Sequence, residues 1–172
     1  MIGLHIILSL FLLFSFSQPE VIPVQKPKLE QLIIVNKANN KLAFIKDGKV
    51  VEIFPVATGK SNELTPEGFF TFVVKAKNPY YRKKNIPGGD PRNPLGSRWI
   101  GFDAQGTDGR TYGIHGTNQP WSIGKYISNG CIRMNNRDVE RLYDKIPLQT
   151  KIVVTMSSKS FAAIAKEYGA IK

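Results

Sequence analysis

Short apolar runs separated by turn residues dominate the chain. Gln31-Leu32-Ile33-Ile34-Val35-Asn36 and Lys41-Leu42-Ala43-Phe44-Ile45 flank the polar stretch Lys37-Ala38-Asn39-Asn40, a pattern that predicts a hairpin. Asp47-Gly48 predicts a second hairpin turn, leading into Val50–Ala57. Further strands are predicted at Gly68–Val74, Trp99–Phe102, Thr111–Ile114 and Lys151–Thr155. One segment changes period: Val139, Leu142, Tyr143 and Ile146 fall at i, i+3, i+4 and i+7, which predicts a helix capped by Asn135 or Asn136. A second, C-terminal helix is predicted within Ser158–Tyr168. The elements describe a strand-rich fold with one or two short helices.

The N-terminus follows another rule. Ile6 to Phe14 is a nine-residue run of apolar residues and one Ser, and Ser15-Phe16-Ser17 ends it with small residues. A spanning helix needs about 20 apolar residues and a signal h-region about 7–15. Residues 1–17 are therefore expected to be a signal peptide or N-terminal anchor, and the chain is expected to be exported. Where a signal usually carries Lys or Arg, this one has only His5 and the terminal amine. Gln18 to Glu30 has three Pro and no period, and reads as a tether. The domain is expected over 31–156, with a helical tail over 157–172.

Between Lys75 and Arg98 the pattern lapses. This stretch has four Pro, the adjacent Tyr80 and Tyr81, and seven Lys or Arg. A loop this long inside a domain is usually a functional lid or an insertion. Three readings apply: a solvated loop with its aromatics packed back, a wall of a substrate cleft, or a stacking track for single-stranded nucleic acid.

Composition narrows the partners. The chain has 172 residues, 42% of them apolar, which excludes a disordered polymer. Lys plus Arg number 24 against 13 for Asp plus Glu, giving +11, and all of it lies from Gln18 onward. The excess favours anionic surroundings. Export argues against nucleic acid and for an anionic cell wall.

The chemistry condenses onto few residues. Beyond residue 17 the chain has one His, His115, and one Cys, Cys131. One Cys excludes an internal disulfide, and the pair supplies too few ligands for a metal site. An imidazole can accept a thiol proton and return it to a leaving amine, or hold the thiolate as an ion pair with a lowered pKa. His115 ends a predicted strand. Cys131 sits in Ser128-Asn129-Gly130-Cys131-Ile132-Arg133, ahead of the predicted helix, whose N-terminal potential favours a thiolate. Gly130 permits a tight turn that could aim successive N–H groups at an oxyanion. The alternative is plain: a buried structural Cys and a hydrogen-bonded structural His.

The stretch Ile114–Asp138 resembles the signature of the L,D-transpeptidase (YkuD-type) family. It carries His115-Gly116-Thr117-Asn118, Ile123-Gly124, Ser128-x-Gly130-Cys131-Ile132-Arg133-Met134 and Asp138. Upstream, Thr65-Pro66-x-Gly68 and Asn93-Pro94-Leu95-Gly96-x-Arg98-Trp99 are similar to that family as well. The resemblance implies a mostly β catalytic fold, sandwich- or barrel-like, with one or two short helices and no cofactor. It implies that Cys131 attacks a peptidoglycan stem peptide after its third residue, releasing D-Ala and forming a thioester that another stem's amine resolves as a 3→3 cross-link. His115 would be the base, with the Gly116 carbonyl on its other ring nitrogen. Arg133 would bind substrate and shape the site together with Ser128, Thr117 and Asn118. The N–H groups of Asn129, Gly130 and Cys131 would face the oxyanion. Many relatives have a second His where this chain has Asn129.

The resemblance further implies stem peptides as partners, at the cell wall or the outer face of the cytoplasmic membrane. The net charge adds anionic wall polymers, and membrane contact is expected only through residues 1–17. An L,D-carboxypeptidase, with water resolving the thioester, and a non-catalytic wall-binding module are the alternatives.

Overall fold

The computed structural model describes residues 29–172. The expected signal or anchor (1–17) and nearly all of the tether lie outside the described residues. In chain order the strands are β1 (Gln31–Asn36), β2 (Lys41–Lys46), β3 (Lys49–Pro55), β4 (Thr58–Gly59), β5 (Gly68–Lys77), β6 (Arg98–Phe102), β7 (Tyr112–His115), β8 (Tyr126–Ser128), β9 (Ile132–Arg133) and β10 (Lys151–Thr155). The helices are α1 (Asn136–Lys145) and α2 (Phe161–Glu167). The fold is mostly β. Among the described residues no helix is long and apolar enough to cross a membrane.

Eight strands form one sheet in the order β3-β2-β1-β10-β5-β6-β7-β9, and β4 and β8 pair separately. The β1–β2 and β2–β3 hairpins form as the pattern predicts, with Asn36 opposite Lys41 and Lys46 opposite Lys49. Asp47 and Gly48 both have positive φ (49° and 75°), as a two-residue primed turn requires. The central strands β1 and β10 are apolar without alternation because both their faces are covered. Ile33, Val35, Ile152 and Val154 enter the main core with Phe44, Phe72, Phe102 and α1's Val139 and Leu142. Leu32, Ile34 and Val153 enter a second core under Ile164 and Ala165 of α2. The segment expected as a helical tail thus carries the cover of the sheet's other face.

Two features bend this sheet. The ten-residue β5 pairs with β10 through its first half and with β6 through its second, with a register shift between Phe72 and Val74. At the far end, Ala57, two residues past β3, exchanges both backbone hydrogen bonds with Arg133 of β9 (each 2.9 Å). The two ends of the sheet therefore meet, as in a closing barrel.

The loop after β4 is anchored from inside. Lys37 is 2% exposed, and its Nζ donates to the carbonyls of Asn62 (2.5 Å) and Thr65 (3.0 Å) and to Glu67 Oε1 (3.0 Å). An ammonium has three N–H bonds, and all three are satisfied. Thr65 Oγ1 in turn accepts the Gly59 N–H at 2.8 Å. Lys37→Met should keep the aliphatic stem but take the ammonium from two carbonyls and from Glu67 Oε1. The expected cost is about 2–3 kcal/mol, read as a lower urea midpoint with an unchanged slope.

Candidate active site

The pairing of β7 with β9 assembles the site. The strands run parallel with Ile114 opposite Ile132 and His115 opposite Arg133. Side chains alternate along a strand. Ile114 and Ile132 point into the core, both fully buried, so His115 and Arg133 point the other way. One step back, Cys131 falls beside Gly113 on that same face. Residues sixteen apart in sequence are brought to one surface by a single register.

The Cys131 turn is held at several points. Ser128 Oγ donates to the Cys131 carbonyl (2.6 Å) and accepts the Gly130 N–H (3.1 Å). Lys60 N–H donates to the Ser128 carbonyl at 3.0 Å. Gly130 has φ +125°, and a Cβ there would lie 2.4 Å from the Leu64 carbonyl oxygen, so only glycine fits. Of the three N–H groups expected at an oxyanion, that of Gly130 is therefore engaged by Ser128. Asn129 is exposed beside it.

His115 is 4% exposed. Its ring stacks on Trp99, its cross-strand partner, with centroids 5.7 Å apart and planes 16° apart. Trp99 is fixed by its Nε1, which donates to the Gly109 carbonyl at 2.9 Å. The Trp99 ring can lie across β7 because residue 113 is glycine: a Cβ there would come within 2.6 Å of it. His115 Nδ1 is 2.6 Å from the Gly116 carbonyl. A carbonyl can only accept, so Nδ1 carries the proton and Nε2 is left as the basic nitrogen. Burial drives the imidazole pKa down to about 4, the Gly116 and Leu95 backbone opposes this, and Arg133 adds to it.

The thiol departs from expectation. Burial is the largest influence on Cys131 and pushes its pKa up, outweighing the Gly113 backbone and the positive charges of Lys83 and Arg133. Its Sγ lies 3.5 Å from the Thr111 carbonyl, as a donor. The resting pair is a neutral thiol and a neutral imidazole. The thiolate–imidazolium pair is not the resting state, because the desolvation that shields the site penalises both charges.

Other expected residues have hydrogen-bond partners within the fold. Thr117 is buried, and its Oγ1 accepts the Gln119 N–H at 3.0 Å. Asn118 is exposed, with its amide 3.3 Å from the Pro91 carbonyl. Neither lines the cavity of about 470 Å³ that Cys131 opens into. Asn118 instead borders a smaller one of about 240 Å³. Arg133 Nη1 donates to Gln119 Oε1 at 3.1 Å. Among the described residues no three His, Cys, Asp or Glu gather as a metal would need.

Of the two Asn expected as alternative caps of α1, Asn135 takes that place and Asn136 has another role. Asn135 is the helix cap, through its carbonyl, which accepts from Asp138 and Val139 (both 3.0 Å). The Asn136 side chain leaves the helix instead. Its Oδ1 accepts the N–H groups of Thr117 (3.1 Å) and Ser97 (3.2 Å), and its Nδ2 donates to the Thr117 carbonyl (3.2 Å). A Cβ at Gly116 would meet that Oδ1 at 2.1 Å. One amide thus ties α1 to the loop that carries the Gly116 carbonyl.

A family model for the L,D-transpeptidase catalytic domain matches residues 30–154. The chain belongs to that family. A relative in Bacillus subtilis, the L,D-transpeptidase homologue YqjB, is 60% identical over 139 residues, covering 81% of this chain and 79% of its own length. Bacillus subtilis YkuD is 36% identical over 122 residues, covering 71% of this chain and 64% of its own. Among solved structures, an L,D-transpeptidase from Mycobacterium smegmatis matches with a TM-score of 0.56 and 25% identity. That match covers 73% of this chain and 58% of the other.

Two outcomes follow for this L,D-transpeptidase domain. A folded-state pKa near 4 for His115 lies below the ordinary value of 6.5, so the unfolded chain binds the extra proton between those values. The burial of His115 therefore supports the fold fully above pH 6.5 and loses that support as pH falls towards 4, by up to ~3 kcal/mol. Thermal melts from pH 7 to pH 4 should show this loss, and His115→Gln should flatten it. Asn136→Ala should cost about 2 kcal/mol by orphaning two N–H groups, and should slow thiol acylation while α1 helicity by circular dichroism stays.

Proposed function

We propose that the protein is an exported peptidoglycan L,D-transpeptidase that acts through Cys131 and a thioester. The observation that carries the reading is the shared face of Cys131, His115 and Arg133, with Nδ1 of His115 committed to the Gly116 carbonyl and Nε2 left as a base. The family membership supports the reaction class. The +11 charge supports a location among anionic wall polymers.

The steps follow from the two neutral groups. The thiol proton passes to His115 Nε2 as Sγ attacks the carbonyl of the third stem residue. The developing oxyanion is met by N–H groups at the Cys131 turn, and the imidazolium is stabilised through Nδ1 by the Gly116 carbonyl. Collapse breaks the C–N bond, the departing D-Ala nitrogen takes the proton from Nε2, and the acyl group stays on sulfur. The side-chain amine of a second stem then attacks the thioester and gives a proton to His115, which returns it to the leaving thiolate. Arg133, beside both partners, has a planar fork suited to a substrate carboxylate or carbonyl. A neutral resting pair keeps the thiol unreactive until substrate is seated, because charge separates only at the moment of attack.

Intact-protein mass at pH near 7 tests the assignment. A carbapenem, whose strained amide resembles the scissile bond, should add one drug mass to the wild type. Cys131→Ser should give no adduct, and His115→Ala should form it at least ~100-fold more slowly. An adduct in Cys131→Ser, or equal rates for wild type and His115→Ala, would remove that residue from the mechanism. With a disaccharide-tetrapeptide, dimer is the expected product. Tripeptide alone would mean that water resolves the thioester, and no product would leave a wall-binding module.

A further inference from the structure

Arg133 is held by a neutral partner. Its Nη1 donates to Gln119 Oε1 at 3.1 Å, and among the described residues it enters no ion pair. The guanidinium therefore stays an uncompensated positive charge on the face it shares with His115, its partner in the parallel register. Few charges act on the two reactive side chains: Arg133 on His115, and Arg133 with Lys83 on Cys131. The other groups against the imidazole, Trp99 and the Gly116 and Leu95 backbone, carry none.

Both ends of the Arg133–Gln119 contact hang from one piece of backbone. Arg133 exchanges main-chain hydrogen bonds with Ala57 (each 2.9 Å). Gly124, at the end of the loop that carries Gln119, donates its N–H to the carbonyl of the preceding residue, Val56 (2.9 Å). Asn40, 3% exposed, donates its Nδ2 to the Gly124 carbonyl at 3.2 Å. Within the loop the Gln119 N–H donates to Thr117 Oγ1 (3.0 Å). The Gln119 carbonyl accepts both the N–H (3.0 Å) and the Oγ–H (2.7 Å) of Ser122, which is fully buried. The main chain of residue 119 is thus fixed by hydrogen bonds in which its own side chain takes no part, so a change of that side chain leaves the loop's bonds in place.

We propose that Gln119 is a positioning residue for acylation: its amide oxygen holds the Arg133 fork on the Cys131–His115 face without cancelling its charge. The inference rests on the transpeptidase reading above and deepens it by assigning what orients the cation beside the base. Fixing one of the five N–H bonds of a guanidinium sets the plane of the fork and leaves its other donors for a substrate carboxylate or carbonyl. A carboxylate at position 119 would grip the fork harder, as a charge-assisted pair. It would also cancel the positive charge that disfavours an imidazolium. Gln supplies the geometry alone, and His115 stays a base to lower pH.

The test measures the second-order rate of acylation by a carbapenem, from intact-protein mass against time, between about pH 4.5 and 8. The wild-type rate should be nearly flat down to about pH 5, because His115 takes its proton only near pH 4. Gln119→Glu, the same shape with a charge, should move the acid limb up by about one pH unit, so that the rate at about pH 5 falls to about half of its neutral value. Arg133→Gln should move the limb in the same direction. Gln119→Ala removes the hydrogen bond without adding charge, so the limb should stay while the rate falls about tenfold at every pH. A merely structural role for residue 119 would lower rates without moving the limb. A limb unmoved in either charge variant, or a wild-type rate in Gln119→Ala, overturns the role of Gln119 and leaves acylation of Cys131 standing. No adduct in the wild type overturns the transpeptidase reading and this role with it.

Discussion

Everything at the site depends on the parallel register between β7 and β9. With Ile114 opposite Ile132, two fully buried isoleucines lock the pairing. A slip of β9 by one residue would drive Ile132 outward and turn Arg133 into the core. The cost of exposing one large apolar side chain, about 1.5–3 kcal/mol, thus helps hold the thiol and imidazole on one face. The arrangement of Cys131, His115 and Arg133 is supported by hydrophobic burial on the opposite side of the same two strands.

The electrostatics follow from that enclosure. Trp99 and the neighbouring strands bury the imidazole, and the same surroundings raise the thiol. Both shifts favour the neutral forms. The Gly116 carbonyl, rather than a carboxylate, orients the His115 ring. A carboxylate would stabilise an imidazolium at rest, whereas a carbonyl fixes the tautomer without committing the ring to charge.

Much of the fold was legible because short strands advertise themselves. The runs at Gln31–Asn36, Lys41–Ile45 and Lys151–Thr155, and the Asp47-Gly48 turn, appear where their patterns place them. The two- and three-residue strands β4, β8 and β9 have no period to detect. Their pairing is imposed by partners distant in sequence, such as Ala57 for Arg133. At the site, His115 and Cys131 were conspicuous by scarcity and context, but the protonation state of the pair was not, since desolvation depends on what packs around them. Asn135 and Asn136 were equal candidates for the cap because Asn caps helices, and Asn135 takes it. Nothing local reveals that the Asn136 amide instead spans to Ser97 and Thr117.

The meeting of the sheet's two ends has a consequence for how this site can vary. The closure between Ala57 and Arg133 is made by main-chain atoms alone, one N–H and one carbonyl from each residue. Position 133 therefore contributes twice, and the two contributions are independent. Its backbone stitches the barrel shut and blunts what would otherwise be an open strand edge beside Cys131, while its side chain lies on the face shared with His115. Any residue with an amide hydrogen can hold the seam, so proline alone is barred outright. Architecture and reactivity are decoupled within a single residue, and the chemistry at the seam can diversify without unpicking the fold.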